Sequence, residues 1–129
     1  MELTKIFTGM ENGPEAIQDN FNTIRNNISD TGWTNTGMTY LNGAKANKDG
    51  GIFYRRVSLF GVGYFVELRG VAVAPSSAGS GYVVQLPQSI VPARVIFPTG
   101  KAINPDGRIY AWDYEASGNI SIYYSYLMG

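Results

Sequence analysis

The sequence predicts a mainly β chain: a short N-terminal helix that joins a trimeric coiled-coil bundle, followed by an antiparallel β-sandwich or barrel head. Three observations predict it. Ile17, Phe21, Ile24 and Ile28 are spaced four, three and four apart, the seam spacing of a coiled coil. From residue 33 onward aromatic and β-branched residues dominate, broken by turn signals at short intervals. The 129 residues are 44% apolar, enough for one domain with a real core. The expected division is an N-terminal anchoring and trimerisation segment, residues 1–31, and a β head, residues 32–129.

The helix has a marked start. Asn12-Gly13 is a turn, and Pro14 suits the first helical position, where no amide donor is needed. Glu15 and Asp19 fall early and Arg25 late, in keeping with the helix dipole. Ser29, Asp30, Thr31 and Gly32 mark the end. The outer face carries Gln18, Asn20, Asn22, Asn26 and Asn27, mostly poor helix formers. A helix of about 15 residues with so short a seam is marginal alone in water. It therefore packs on its own domain or on copies of itself. The narrow stripe favours copies, and isoleucine at both kinds of seam position leans towards three strands.

The β region reads as six strands: residues 51–60, 64–73, 82–86, 94–97, 108–114 and 120–126. Asn42-Gly43, Asp49-Gly50-Gly51, Gly61-Val62-Gly63, Ser76 to Gly81, Asn104 to Gly107 and Ser117-Gly118-Asn119 punctuate them. Short strands at this spacing argue for a sandwich or barrel. Ile120, Ile122, Tyr124 and Tyr126 alternate with Ser121, Tyr123 and Ser125, so one face of the last strand is expected to be buried. Val66, Leu68 and Ala72 share a face, with Glu67 and Arg69 on the other. Pro75, Pro87, Pro92, Pro98 and Pro105 fall between strands, where a missing donor does no harm.

Composition excludes several function classes. Ten Lys and Arg balance ten Asp and Glu, so no net field draws nucleic acid or an anionic membrane. There is no histidine, the commonest general base and metal ligand, and no cysteine for a disulfide or thiolate. No cofactor or metal is expected, and no apolar run reaches the roughly 20 residues that span a bilayer. Met1 to Gly9 has no apolar core and carries Glu2 where a signal peptide is basic, so synthesis without Sec export is expected.

Gly61-Val62-Gly63 lacks the third glycine of a dinucleotide loop and precedes a strand, so it reads as a hairpin turn. Asn27-Ile28-Ser29 and Asn119-Ile120-Ser121 match the glycosylation pattern by chance, given no export signal. Asp113 and Glu115 lie two apart, as a glycosidase pair can, but Glu115 leads straight into a turn and reads as a solvated hairpin end. The aromatics say more: six Phe, nine Tyr and two Trp, with Tyr, the ring with a polar tip, predominant. Tyr110, Trp112 and Tyr114 alternate with Ala111 and Asp113, placing three large rings on one strand face. That face is either core or a platform on which sugar rings stack, with hydroxyls bonded to Arg108 or Asp113. Arg108, Tyr110, Trp112 and Asp113 are the candidate saccharide contacts. Trp33 reads as a core anchor.

Lys5-Ile6-Phe7-Thr8-Gly9-Met10-Glu11-Asn12-Gly13-Pro14-Glu15-Ala16-Ile17 resembles the opening of tail-tip proteins from long-tailed phages of lactic-acid bacteria and related Firmicutes. Those openings run Lys, an aliphatic, an aromatic, then Gly-Met-x-Asn-Gly-x-Glu-x-Ile. The stretch is similar to the start of lower-baseplate receptor-binding proteins. Val66-Glu67-Leu68-Arg69-Gly70, with Leu86-Pro87 and Pro92, resembles the β heads of phage tail fibres more loosely. The resemblance implies a virion protein of the tail tip or baseplate, assembled in the bacterial host cytoplasm. It implies a homotrimer held to an upper baseplate or tail protein through the segment of Lys5, Phe7 and Met10. It further implies adhesion to host cell-wall polysaccharide or teichoic acid. One departure is plain: the family's neck between helix and head is missing, since Thr31-Gly32 leads directly into Trp33.

The expected function is thus a trimeric, non-catalytic adhesin. A structural baseplate or tail-fibre component making only protein contacts, and a monomeric carbohydrate-binding module, are the alternatives. Lacking histidine, the chain is expected to bind almost unchanged between about pH 6 and 8.

Overall fold

A computed structural model of the chain describes residues 17–20, 22–23, 28–60 and 62–128. Among these, the strands run in the order β1 Ile28–Asp30, β2 Thr39–Tyr40, β3 Lys45–Ala46, β4 Ile52–Leu59, β5 Tyr64–Val73, β6 Gly79–Gln85, β7 Lys101–Ile103, β8 Arg108–Tyr114 and β9 Asn119–Met128, with a 3-10 turn at Gln88–Ile90 before β7. Every pairing is antiparallel. One sheet has the order β1-β4-β5-β9, with β3 continuing beside β5 where β4 ends. The other has the order β2-β6-β8-β7.

The sheets face each other across one core, as in a sandwich. Ile52, Tyr54, Val66, Leu68, Ile120, Ile122 and Tyr126 come from the first sheet, and Val83, Val84, Ile109 and Ala111 from the second. The alternation expected along β5 and β9 holds: Val66, Leu68, Ala72, Ile120, Ile122 and Tyr126 are buried, while Arg69, Ser121, Tyr123 and Ser125 are exposed. Each buried aliphatic contributes about 1.5–3 kcal/mol through the apolar surface it withdraws from water. On β6 the pairing shifts between Tyr82 and Val84, so that both Val83 and Val84 are buried.

The end of the predicted helix is corrected. Residues 17–20 and 22–23 are helical, with Gln18 Nε2 donating to Asn22 Oδ1 at 3.2 Å along the helix, but Ile28, Ser29 and Asp30 form β1. Ile28 therefore lies opposite Leu59 and is not the last seam residue. Isoleucine suits a strand at least as well as a helix, and the free edge of β4 supplies hydrogen bonds that a fraying helix end lacks. Thr31 N donates to the Arg56 carbonyl at 3.1 Å, and the Thr31 hydroxyl accepts from Arg56 N at 2.9 Å. Arg55 Nε reaches both Asp30 carboxylate oxygens, at 3.0 and 3.1 Å. That hydrogen bond, with the Gly32 amide behind it, holds the Asp30 carboxyl below its usual range. Residues 28–30, expected in the helix, thus form the edge of the first sheet. Of the remaining seam, Ile17 is exposed, and Phe21 and Ile24 lie outside the described residues, as do Lys5, Phe7 and Met10.

Two further differences concern the β region. Residues 94–97 make only the single bridge of Ile96 with Ile103, because Pro92 and Pro98 bracket a segment too short to pair further. Trp33 is not a core anchor: it lies on the outer face of the first sheet, with the Arg69 guanidinium 4.5 Å above its ring.

Tyr126 ties β9 to the 3-10 turn, its hydroxyl donating to the Ile90 carbonyl. Burial raises this phenol well above its ordinary value. A raised folded-state value favours the fold fully below the unfolded value of about 10, and this contribution disappears as the pH rises past it. The thermal midpoint is therefore expected to be flat over roughly pH 6–8 and to fall above about pH 10. Tyr126→Phe should flatten that alkaline fall while costing about 1 kcal/mol at neutral pH from the lost hydrogen bond. Thermal melts of both proteins across pH check this, and an identical alkaline slope in the two would refute it.

A candidate aromatic groove on the outer face of one sheet

The β8 strand alternates cleanly through its first five residues. Ile109 and Ala111 face the core, and Tyr110 and Trp112 face outward. Tyr82 of β6 is the register partner of Tyr110, and their rings meet edge to face with centroids 5.1 Å apart. Trp112 sits beside Tyr110 at 4.9 Å. Three rings thus run in contact across two strands, a geometry worth about 0.5–1.5 kcal/mol per pair beyond burial.

Arg108 closes one end of this row. Its guanidinium lies 4.0 Å above the Tyr82 ring, and its Nε donates to Asp106 Oδ2 at 2.7 Å. Asp106 also accepts from the Arg108 amide at 3.0 Å. That backbone bond first, and the guanidinium second, hold the Asp106 carboxyl below its usual range. Arg108 is therefore fixed in position with its terminal nitrogens still available as donors. Asn104 Nδ2 donates to the Tyr82 hydroxyl at 3.1 Å.

A groove of about 430 Å³ opens over these rings, lined by Tyr82, Val95, Phe97, Ala102, Asn104, Tyr110 and Trp112. Ala102, opposite Tyr110 on β7, contributes only a methyl group and leaves the depression open. Trp112 is 46% exposed and Phe97 66% exposed, large apolar side chains held at the surface. Flat aromatic faces next to a fixed guanidinium and an amide suit a ligand with an apolar face and polar edges.

The structure brings together three of the four candidate contacts. Arg108, Tyr110 and Trp112 belong to one continuous surface, on the outside and not in the core. Asp113 does not join them. Its φ is +53°, and its amide donates to the side-chain hydroxyl of Ser80 on β6, at 2.9 Å, in place of a backbone carbonyl. This kink breaks the alternation, so that Tyr114 packs against the core and is not a third outward ring. Asp113 lines a neighbouring depression of about 230 Å³ with Lys101, Glu115, Asn119 and Ser121, and Trp112 forms part of both. Burial lowers the Lys101 ammonium below its usual value, while its Nζ donates to the Thr99 carbonyl at 3.0 Å.

Sequence reasoning missed Tyr82, Asn104 and Ala102, and placed Phe97 and Val95 in a strand without assigning them a role. Alternation along residues 82–86 puts Tyr82 on the face of Val84 and Leu86, both buried, and the register shift between Tyr82 and Val84 turns it outward. Its pairing with Tyr110 depends on β6 lying beside β8, and no local pattern encodes that neighbourhood. Comparison of the chain with protein-family models, curated proteins and solved structures finds no match.

Proposed function

We propose that this chain is a phage tail receptor-binding protein, a homotrimeric adhesin that holds host cell-wall saccharide without catalysis. The observation that carries the reading is the outward-facing row of Trp112, which is exposed, with half-buried Tyr110 and Tyr82, capped by Arg108 and opening into a groove. Pyranose rings present C–H faces to such rings and hydroxyls to donors such as the Arg108 guanidinium. The N-terminal resemblance to tail-tip proteins and the neutral net charge support the same reading. Single-site affinity for a sugar is weak, on the order of millimolar, and three identical sites on one polymer raise it by effective concentration.

A structural tail component making only protein contacts is the second reading. Phe97 and Val95, exposed along the groove, favour it, since protein side chains also fill such a rim.

Tryptophan fluorescence separates the readings. The chain has two tryptophans, Trp112 in the groove and Trp33 on the opposite sheet. Titration with wall saccharide fragments is expected to change the emission of a Trp33→Phe variant and leave that of Trp112→Phe unchanged. Binding detected by calorimetry with no change at Trp112 would move the site elsewhere. No binding at all up to about 10 mM, well beyond single-site affinity, would remove the adhesin reading.

A further inference from the structure

The aromatic row does not stop at Trp112. This residue borders the groove over Tyr82 and Tyr110 and also the depression of about 230 Å³ formed by the end of β8, the following turn and the start of β9. Alone, the second depression is smaller than the roughly 300–1,000 Å³ of a small-ligand site. Joined to the first through a shared tryptophan, it extends the groove. Arg108 and Trp112 stand four residues apart on β8, about 13 Å along the strand, which is longer than a single pyranose ring. The second depression lies beyond that length.

The two parts differ in chemistry. The first offers ring faces, with Arg108 and Asn104 at its edges. The second is lined by Lys101, Asp113, Glu115, Asn119 and Ser121. The left-handed backbone at Asp113 makes the change, since it turns Tyr114 to the core and leaves Asp113 exposed at the depression. An ammonium donates, carboxylates accept, and an amide and a hydroxyl do both. Sugar hydroxyls, each donor and acceptor, match such a mixed set.

Charge narrows the ligand further. Asp106, Asp113 and Glu115 along this track outnumber Arg108 and Lys101. Arg108 is held by Asp106, and Lys101 Nζ donates to the Thr99 carbonyl at 3.0 Å, with burial already disfavouring its charged form. A phosphodiester polymer would bring one negative charge per unit past Asp113 and Glu115, and repulsion would oppose it. An uncharged chain meets no such opposition.

We propose that the groove and this depression form one continuous site for an uncharged glycan chain of at least two sugar units. One unit stacks on Tyr110 and Trp112, and the next bonds around Asp113, Asn119 and Ser121. The proposal rests on the saccharide reading above and narrows it, to a run of units over a single sugar and to a neutral polysaccharide over a phosphate-linked teichoic acid.

The test is calorimetry on the full chain with size-graded fragments of neutral wall polysaccharide, one to four units long, and with poly(glycerol phosphate). The two-unit fragment is expected to bind about tenfold more tightly than the single unit, as two added hydrogen bonds allow. Its affinity should change by less than about twofold between roughly 50 and 500 mM salt. Ser121→Leu, which fills the second depression from an exposed position on β9, should reduce the two-unit affinity to that of one unit. Glu115→Gln, which keeps the side chain's shape, should lower the two-unit affinity about threefold. Equal affinity for one and two units, or a gain that survives both substitutions, would overturn the second position. Preference for poly(glycerol phosphate) with steep salt dependence would overturn the neutral chain and leave the adhesin reading intact. No binding of any probe would overturn both.

Discussion

Replacing Trp112 with alanine is expected to weaken binding of a soluble wall fragment about tenfold, and binding to whole cells by up to about 10³. The first figure follows from losing one stacked ring, worth about 1.4 kcal/mol. The second follows if the proposed trimer engages a long polymer through three grooves, because per-site losses multiply under multivalent attachment. The fold is not expected to suffer, since Trp112 is half exposed and buries no partner in the core. Trp112→Phe should retain most of the binding, which separates ring stacking from any specific indole contact. Calorimetry with fragments and sedimentation of labelled protein with cells measure the two quantities. Equal losses in both assays would mean that each particle uses a single site.

The second large effect concerns the backbone. Gly70 has a φ of +145°, and a methyl group there would stand 2.2 Å from the Gly51 carbonyl oxygen and 2.8 Å from Ile52 Cα. Both neighbours are main chain, so nothing flexible can move aside. The position is where the register of β5 passes from β4 to β3, with Val71 N donating to the Gly51 carbonyl at 3.3 Å. Gly70→Ala is expected to cost about 4 kcal/mol, from the strained dihedral and the overlap together. For a chain of this size that lowers the thermal midpoint by about 15 °C. Gly79→Ala is the control, since a methyl group there meets nothing within 4 Å. It should be neutral or slightly stabilising. Matching midpoints for the two variants would show that Gly70 is not constrained as described.

Much of the sandwich was legible in the sequence, for physical reasons that the long strands make plain. β4, β5, β8 and β9 each exceed six residues, alternate over at least their first four, and have expected spans that agree with the observed ones to within two residues. β2 and β3, two residues each, carry no period to read. β7 hides between the Pro98-Thr99-Gly100 turn and Asn104-Pro105, with only Ala102 and Ile103 as an apolar signal. β6 starts three residues before its expected start, because Gly79-Ser80-Gly81 has a turn's composition and yet pairs with β8. The helix reading failed at Ile28 for another reason. A four-residue spacing fits a seam, but the edge of β4 competes for the same residues, and tertiary pairing outweighs a weak local preference.

The site was legible in part. Alternation put Tyr110 and Trp112 on one face, and Arg108 precedes them on the same strand, so local order was enough for these three. Asp113 and Tyr114 were misplaced because one left-handed residue reverses the alternation, and aspartate tolerates that conformation without announcing it. Tyr82 and Asn104 came from elsewhere in the chain and needed the strand order.

The alternation along β8 has an evolutionary consequence. Ile109 and Ala111 maintain the core while Tyr110 and Trp112, one step away, contribute nothing to it. The stability of the head and the chemistry of its groove are therefore written on interleaved but separate positions. Substitutions at 82, 108, 110 and 112 would reshape the groove at the cost of ring contacts worth about 0.5–1.5 kcal/mol per pair, with the core packing left in place. If the groove holds a ligand as proposed, its specificity can be altered at these outward positions while Ile109 and Ala111 keep the sandwich beneath it.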